Sequence, residues 1–273
     1  SQMLYITYGP GGQVWAIDWY DGNQCHRPEE GAHDRSNGRI YRITYNETAP
    51  IAVDLRERSD VELAQLAVDS ENEWYVRHTR RLLQERAAAD GLSVNCRDAL
   101  QERLFPAPNG GAPLRAKSAD PDKDARRLRA LWALHVARDP WLRDPVTINR
   151  LLADPSPWIR AWSLQVLFED LGKDGITAKR QQQLAVMAAG DRSPVVRLYL
   201  ASLAGRLPRD QRWGIVEGLV THAEDAADHN LPLMYWYAME PLAEADPQRA
   251  LALAMAAGES FPRLRDFMIR RLG

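Results

Sequence analysis

Cysteine is nearly absent from this chain: 273 residues carry only Cys25 and Cys96. Cys25 is followed by His26 and Cys96 by Arg97, so neither belongs to a CxxCH haem-attachment motif or a CxxC metal knuckle. A single possible pair leaves the redox compartment, and the pairing itself, open. Long hydrophobic runs are also missing. The apolar stretches LALAMAAG and LYLASLAG fall far short of the roughly 20 residues that cross a bilayer, which excludes a helical membrane span. Excess charge of one sign is lacking too. A net charge of −2 gives no global field to draw the chain onto nucleic acid or anionic lipid, so any partner must be recognised locally. No HExxH, GxSxG, P-loop or Rossmann fingerprint occurs, and the glycines of Gly9-Pro10-Gly11-Gly12 mark a turn with no helix behind it. The start, Ser1-Gln2-Met3, carries no charged and apolar leader and predicts that the native protein is longer.

Aromatic and β-branched residues open the chain. MLYITY (3–8), QVWAIDW (13–19) and RIYRITY (39–45) predict three short strands, the first two joined at the glycine-rich turn. Three strands make a poor independent sheet and require neighbours. The long connection between the second and third strands, together with their ends, offers Asp18, Asp21, Cys25, His26, Glu29, Glu30, His33 and Asp34. Asp18, Asp21, His26 and His33 supply the carboxylate and imidazole types that bind a divalent metal or move protons, although their spacing matches no defined metal loop. The competing reading has Asp18 and Asp34 satisfying turn amides while Arg39 and Arg42 pair with neighbouring carboxylates.

From Ser59 the pattern becomes helical. Ser59 with Glu62 forms a capping box, and Asp144-Pro145, Thr177 and Asp246-Pro247 open later helices. The dipeptides Val76-Arg77, Leu128-Arg129, Ile159-Arg160, Val196-Arg197 and Leu264-Arg265 recur with arginine spacings of 52, 31, 37 and 68 residues. A period of this size indicates helical hairpins. The 52-residue gap holds a Pro/Gly/Ala-rich insertion around 105–121, and in the 68-residue gap, twice 34, NLPLMYWYAMEPLAE stands where a member near 231 is due. Asp154-Pro155-Ser156-Pro157-Trp158-Ile159-Arg160 and Asp191-Arg192-Ser193-Pro194-Val195-Val196-Arg197 resemble the turn of the HEAT repeat. The resulting expectation is a mainly α fold: a β-cap over residues 1–50, then an α-solenoid of about six HEAT-like hairpins over 51–273.

With that array behind it, Asp18-Trp19-Tyr20-Asp21 followed by Asp34 to Ile43 resembles the end of the β-propeller in the membrane-bound dehydrogenases of planctomycetes and their relatives. NEWYVRHTRRLLQERA, RLRALWALH and DHNLPLMYWYAMEPL agree with that resemblance. In that family a propeller similar to sugar dehydrogenases precedes HEAT-like repeats and commonly a cytochrome c domain. The resemblance therefore implies an extracytoplasmic protein whose haem or quinone lies in other domains, with no cofactor in this chain. A propeller's central site needs residues from every blade, so the segment is expected to be a non-catalytic scaffold that joins neighbouring domains or a protein partner. Two alternatives stand beside it: a contribution to a quinone-dependent sugar oxidoreductase, and a nucleic-acid-binding HEAT-like solenoid.

Each alternative names residues. Arg77, Arg129, Arg160 and Arg197 are expected to form a structural ladder, each bonding an acidic or carbonyl partner in an adjacent turn such as Asp154 or Asp191. Read as a phosphate stripe, the same column would be joined by Arg126, Arg127, Arg263, Arg265, Arg270 and Arg271, but interspersed acidic residues argue against nucleic acid. Among nine tryptophans, Trp132, Trp158, Trp162, Trp213 and Trp236 fall on apolar helical faces. Tyr235, Trp236 and Tyr237 are the partner-binding candidates, because three successive aromatics cannot all face inward on one helix. His78, His135, His222 and His229 are scattered singly, and no catalytic residue is assigned.

Overall fold

A computed structural model of the chain describes residues 2–19, 38–46, 51–106, 121–172 and 174–273. The fold is mainly helical, with a small antiparallel sheet at the N-terminal end. The strands β1 (Gln2–Tyr8), β2 (Val14–Trp19) and β3 (Arg39–Ile43) lie in the order β1-β2-β3. The register pairs Tyr8 with Val14, Val14 with Ile43, and Asp18 with Arg39, and a bulge interrupts β1 between Met3 and Tyr5. The β1–β2 turn closes where the Gly12 amide donates to the Gly9 carbonyl at 3.0 Å. Gly12 sits at φ 77°, in the left-handed region that side chains disfavour.

Alternation along the strands assigns each residue to one of two faces. Ile6, Val14, Tyr41 and Ile43 share one face, and Tyr5, Ile17 and Ile40 share the other. All seven are exposed, so the sheet presents apolar side chains on both sides. It is held to the helices by its turn: the Asn72 side-chain amide donates to the carbonyls of Gly9 (3.1 Å) and Pro10 (3.2 Å).

Helices follow from Asp60 onward. They are α1 (Asp60–Asp69), α2 (Glu73–Ala89), α3 (Val94–Leu104), α4 (Pro121–Val136), α5 (Pro145–Leu152), α6 (Pro157–Leu167), α7 (Ala178–Gly190), α8 (Pro194–Arg206), α9 (Trp213–Leu219), α10 (Leu231–Met239), α11 (Leu242–Ala245), α12 (Pro247–Ala257) and α13 (Pro262–Leu272). No helix among the described residues is long and apolar enough to cross a membrane. The starts follow local chemistry. Asp144, Thr177 and Asp246 accept from the amides of Thr147, Arg180 and Arg249, and a proline occupies the first turn of α5, α6, α8, α10, α12 and α13.

The capping box at α1 is complete: Ser59 receives the Glu62 amide while the Glu62 carboxylate accepts from the Ser59 amide at 2.9 Å. The Ser59 amide, its hydroxyl and Arg58 hold the Glu62 carboxyl down to about 2, below its ordinary 4.5. The capping contribution is therefore fully present above pH 4.5 and lost as the pH falls through 2. Ser59→Ala should move the Glu62 midpoint back toward 4.5 in a carbon-detected NMR titration. Because the Ser59 amide survives the substitution, the return should be partial, and an unmoved midpoint would refute the hydroxyl's share.

The chain divides into two compact units, Ser1–Ala107 with Arg129–Ala137, and Pro108–Leu128 with Arg138–Gly273. In the first, α1 packs on α2 and α3, and the buried side chains include Leu63, Val68, Val76, Leu83, Leu100 and Leu134. Arg86 pairs with Asp60 and Arg103 with Asp69. In the second, α6, α8, α10 and α13 pack successively, α7 lies against α9, and α5 and α12 pair with α6 and α13. Leu164, Leu184, Leu200, Val216, Leu219, Met239 and Met268 are buried in its core.

Candidate interaction face

The second unit is organised by two like turns. In each, an aspartate receives the amide two residues on, Ser156 to Asp154 and Ser193 to Asp191, both at 2.9 Å, and a proline then opens a helix. The arginine six residues after each aspartate reaches back to its own turn. Arg160 donates to the carbonyls of Asp154 (2.7 Å) and Pro155 (3.1 Å), and Arg197 donates to the carbonyl of Asp191 (2.9 Å). The same guanidinium then clasps the following acidic residue with two bonds, Arg160 to Asp191 at 2.7 and 2.8 Å and Arg197 to Asp225. Arg127 clasps Asp154 in the same manner, and the Tyr235 hydroxyl closes the series on Asp225. Bidentate charge-assisted bonds of this geometry fix one helix against the next.

Burial along this row is deepest at its end. Arg197 is 2% exposed and Asp225 3%. Burial alone would lower the Arg197 guanidinium, and the Asp225 carboxylate more than offsets that, leaving it raised and charged. Burial, with Asp225 beside it, pushes the Tyr235 hydroxyl far above its ordinary value.

Of the other two expected rungs, Arg129 bonds the turn between α1 and α2 and Arg77 bonds no such turn. Arg129 works within the first unit, donating to the carbonyls of Val68 (3.1 Å) and Ser70 (2.9 Å) and pairing with Glu73. Arg77 is exposed and makes none of these bonds. Arg127, two residues before Arg129 and outside the expected column, is the arginine that clasps Asp154. The signal available in the sequence was the acidic residue, since Asp154, Asp191 and Asp225 recur every 34 to 37 positions.

Holding α6 and α8 by Arg160 and Arg197, and α10 by the Tyr235 hydroxyl, leaves their outer sides apolar. On α6 these are Trp158 and Trp162, on α8 Val195, Leu198 and Tyr199, and on α10 Leu233, Trp236 and Tyr237, all at helical i, i+3 or i+4 spacing. Trp158, Leu233 and Tyr237 are exposed, at 46%, 36% and 59%. The others are half-buried, and their rings join neighbouring helices. Trp162 meets Tyr199 at 6.0 Å between centroids, and Trp236 meets Phe267 of α13 at 5.3 Å. These are tilted contacts at ordinary aromatic distances. The three aromatics of α10 thus point three ways: Tyr235 into the core, Trp236 along the layer, and Tyr237 outward.

Among the described residues these three helices carry few charges. Within α6 the charged residue is Arg160, and within α8 they are Arg197 and the terminal Arg206; α10 has none. Arg160 and Arg197 are held in the row, and Arg206 donates to the Phe168 carbonyl at 3.1 Å. Charge returns on α13, with Arg263, Asp266 and Arg270 exposed.

Of the other candidates, Asp18 lies on β2 opposite Arg39 and accepts from the Tyr41 hydroxyl at 3.5 Å. Asp21, Cys25, His26, Glu29, Glu30, His33 and Asp34 fall outside the described residues. Cys96 is buried in the first unit. His78 stacks on Trp74 at 4.1 Å, and His222 bridges the Ala188 carbonyl and Glu224, each at 2.9 Å. His135 is half-buried and His229 exposed. Arg80 lies over Trp132 and Arg249 over Trp213, with 5.5 and 4.2 Å to the ring centres. In the arginine stripe, Arg127, Arg265 and Arg271 are each paired with acidic residues, while Arg126 is exposed.

Comparison with protein families, with curated proteins and with solved structures returns no match for this chain.

Proposed function

We propose that the chain is a non-catalytic interaction scaffold, an α-solenoid of HEAT-like hairpins capped by the N-terminal strands. The observation that carries this reading is the division of labour on α6, α8 and α10: Arg160, Arg197 and the Tyr235 hydroxyl are spent on the row of aspartates, while Trp158, Leu233 and Tyr237 stand outward. An apolar, tryptophan-bearing patch of this kind is the usual mark of a protein-binding surface.

The resemblance to the planctomycete-type dehydrogenases extends the reading. There the partner is a neighbouring domain of the same extracytoplasmic polypeptide, with a sugar-dehydrogenase-like propeller on one side and a cytochrome on the other. Apolar side chains on both faces of the sheet support the propeller part, because a propeller blade is covered on each face by the next blade. Haem or quinone would belong to the other domains, since the CxxCH donor set for covalent haem does not occur in this sequence.

A photo-crosslinking residue placed at Tyr237 should capture a discrete partner in native cells, whereas the same residue at Val186, exposed on α7, should not. Equal labelling from both positions, or none from Tyr237, would count against the scaffold reading.

A further inference from the structure

The row of arginines ends one helix early. Arg160 and Arg197 each stand three residues after the proline in the first turn of their helices, and each clasps the next acidic residue along the row, Asp191 and Asp225. The matching residue of α10, three after Pro232, is Tyr235. Its hydroxyl turns back to Asp225, and its ring meets Phe261 edge-on at 5.8 Å between centroids. A phenol has no second donor, so no clasp runs from Tyr235 to the turn before α13. Between those two turns, within the second unit, lies a cavity of about 520 Å³. Asp228, His229 and Pro232 line it from one turn and Ser260, Phe261 and Arg263 from the other.

The lining narrows what can enter. Pro232 and Phe261 are buried and give the cavity an apolar wall. Arg263 and His229 are exposed at its rim, and among the described residues neither side chain makes a hydrogen bond or an ion pair. Asp228 is already committed: one carboxylate oxygen accepts from the amides of Leu231 at 2.9 Å and Asn230 at 2.8 Å, and these bonds hold its carboxyl below the ordinary carboxylate range. The next acidic residue, Glu259, is exposed and does not line the cavity. Arg160 and Arg197 each meet a carboxylate of the chain, whereas Arg263 leaves that place for a ligand. A guanidinium fork takes a carboxylate with two parallel bonds. A phosphate monoester would bring a second negative charge into the cavity that holds Asp228, which favours the singly charged group. The volume is that of a small-molecule site rather than of a bare ion.

We propose that this cavity binds a small organic monocarboxylate, the carboxylate held by Arg263 and His229 and the apolar body against Pro232 and Phe261. Imidazole offers an N–H in either protonation state, and the Ser260 hydroxyl is a further donor. The proposal goes beyond the scaffold reading and is independent of it, since that reading stands or falls at Tyr237.

Titration of the isotope-labelled full chain with phenylacetate, followed by the backbone amide shifts around His229 and Arg263, tests it. Phenylacetate should bind saturably, and 2-phenylethanol, which has the same body without the charge, should bind about tenfold more weakly or worse. Arg263→Gln should weaken phenylacetate about tenfold, whereas Arg270→Gln, at an exposed arginine further along α13, should change it less than about twofold. Both side chains are exposed, so both variants should keep the dispersed amide spectrum of the folded chain. The tripeptide Ala-Ala-Phe with a free C-terminus separates the two sources of such a group: binding tighter than phenylacetate assigns the carboxylate to a chain terminus, and weaker binding assigns it to a free small molecule, the site being supported by either. Equal binding of 2-phenylethanol, an unchanged affinity in Arg263→Gln, or no saturation below about 50 mM overturns the proposal. Tighter binding of phenyl phosphate than of phenylacetate overturns the carboxylate assignment.

Discussion

Arg197→Ala should lower the stability of the chain by about 3–5 kcal/mol, the cost of stranding one partner of a buried ion pair. Of its described partners the Asp225 carboxylate, at 3% exposure, would keep the Tyr235 hydroxyl, and the Asp191 carbonyl would lose the Arg197 donor. Arg160→Ala should cost less, because its side chain retains 16% exposure and water can replace part of what it gave. Arg249→Ala should cost little, since Arg249 and Glu217 stand about half exposed. Urea unfolding of the three variants checks the order, and a loss below about 1 kcal/mol for Arg197→Ala would sink the argument. The double variant Arg197→Met with Asp225→Leu should recover much of the loss, because two apolar side chains leave no buried charge unpaired. Alkali acts on the same network. Tyr235 titrates higher in the fold than in the unfolded chain, so its contribution is complete below about pH 10 and declines above it. Tyr235→Phe should remove that part of the alkaline decline.

Much of this arrangement was legible in the sequence, and the reasons are local. Caps and proline-opened helices follow from side chains acting on amides two or three residues away, so Ser59, Asp144, Thr177 and Asp246 announce them directly. The aspartate–proline turns at 154 and 191 repeat closely enough to expose the arginine six residues on. Three features were hidden. Helix α3 has a polar sequence, VNCRDALQERL, whose buried stripe is only Cys96, Leu100 and Leu104, so the Gly91 turn and Ser93 cap before it open a segment with little periodic signal. Asp225 sits in a short 3-10 segment rather than in an aspartate–serine–proline turn, so nothing local marks it as the acceptor for Arg197. Of the three aromatics on α10, which one is buried depends on Asp225 being in place to receive a hydroxyl. Only a tertiary contact selects Tyr235 for the interior and Tyr237 for the surface.

Gly218→Ala should destabilise the chain by about 1–3 kcal/mol, although helix propensity argues the opposite sign. In an open helix, alanine in place of glycine stabilises by reducing the freedom of the unfolded chain. At Gly218 the added methyl would lie 2.8 Å from the Ala189 amide nitrogen, 3.0 Å from the Ala188 methyl and 3.1 Å from the Ala185 carbonyl oxygen. One turn earlier, a methyl on Gly214 would lie 2.9 Å from that of Ala185. Helix α9 therefore approaches α7 through two glycines facing alanines, and most of these obstacles are backbone or short side chains that no rotamer change can move aside. Separation of the two helices is the remaining response, and it opens the space around Leu184, Val216 and Leu219. Gly205, near the end of α8, is exposed, and a methyl there meets nothing within 4 Å. Gly205→Ala should accordingly raise stability by about 0.5–1 kcal/mol. Thermal midpoints of the two variants should move in opposite directions. Two upward shifts would mean that α7 and α9 have room to spare, and the close approach could not then be what fixes their packing.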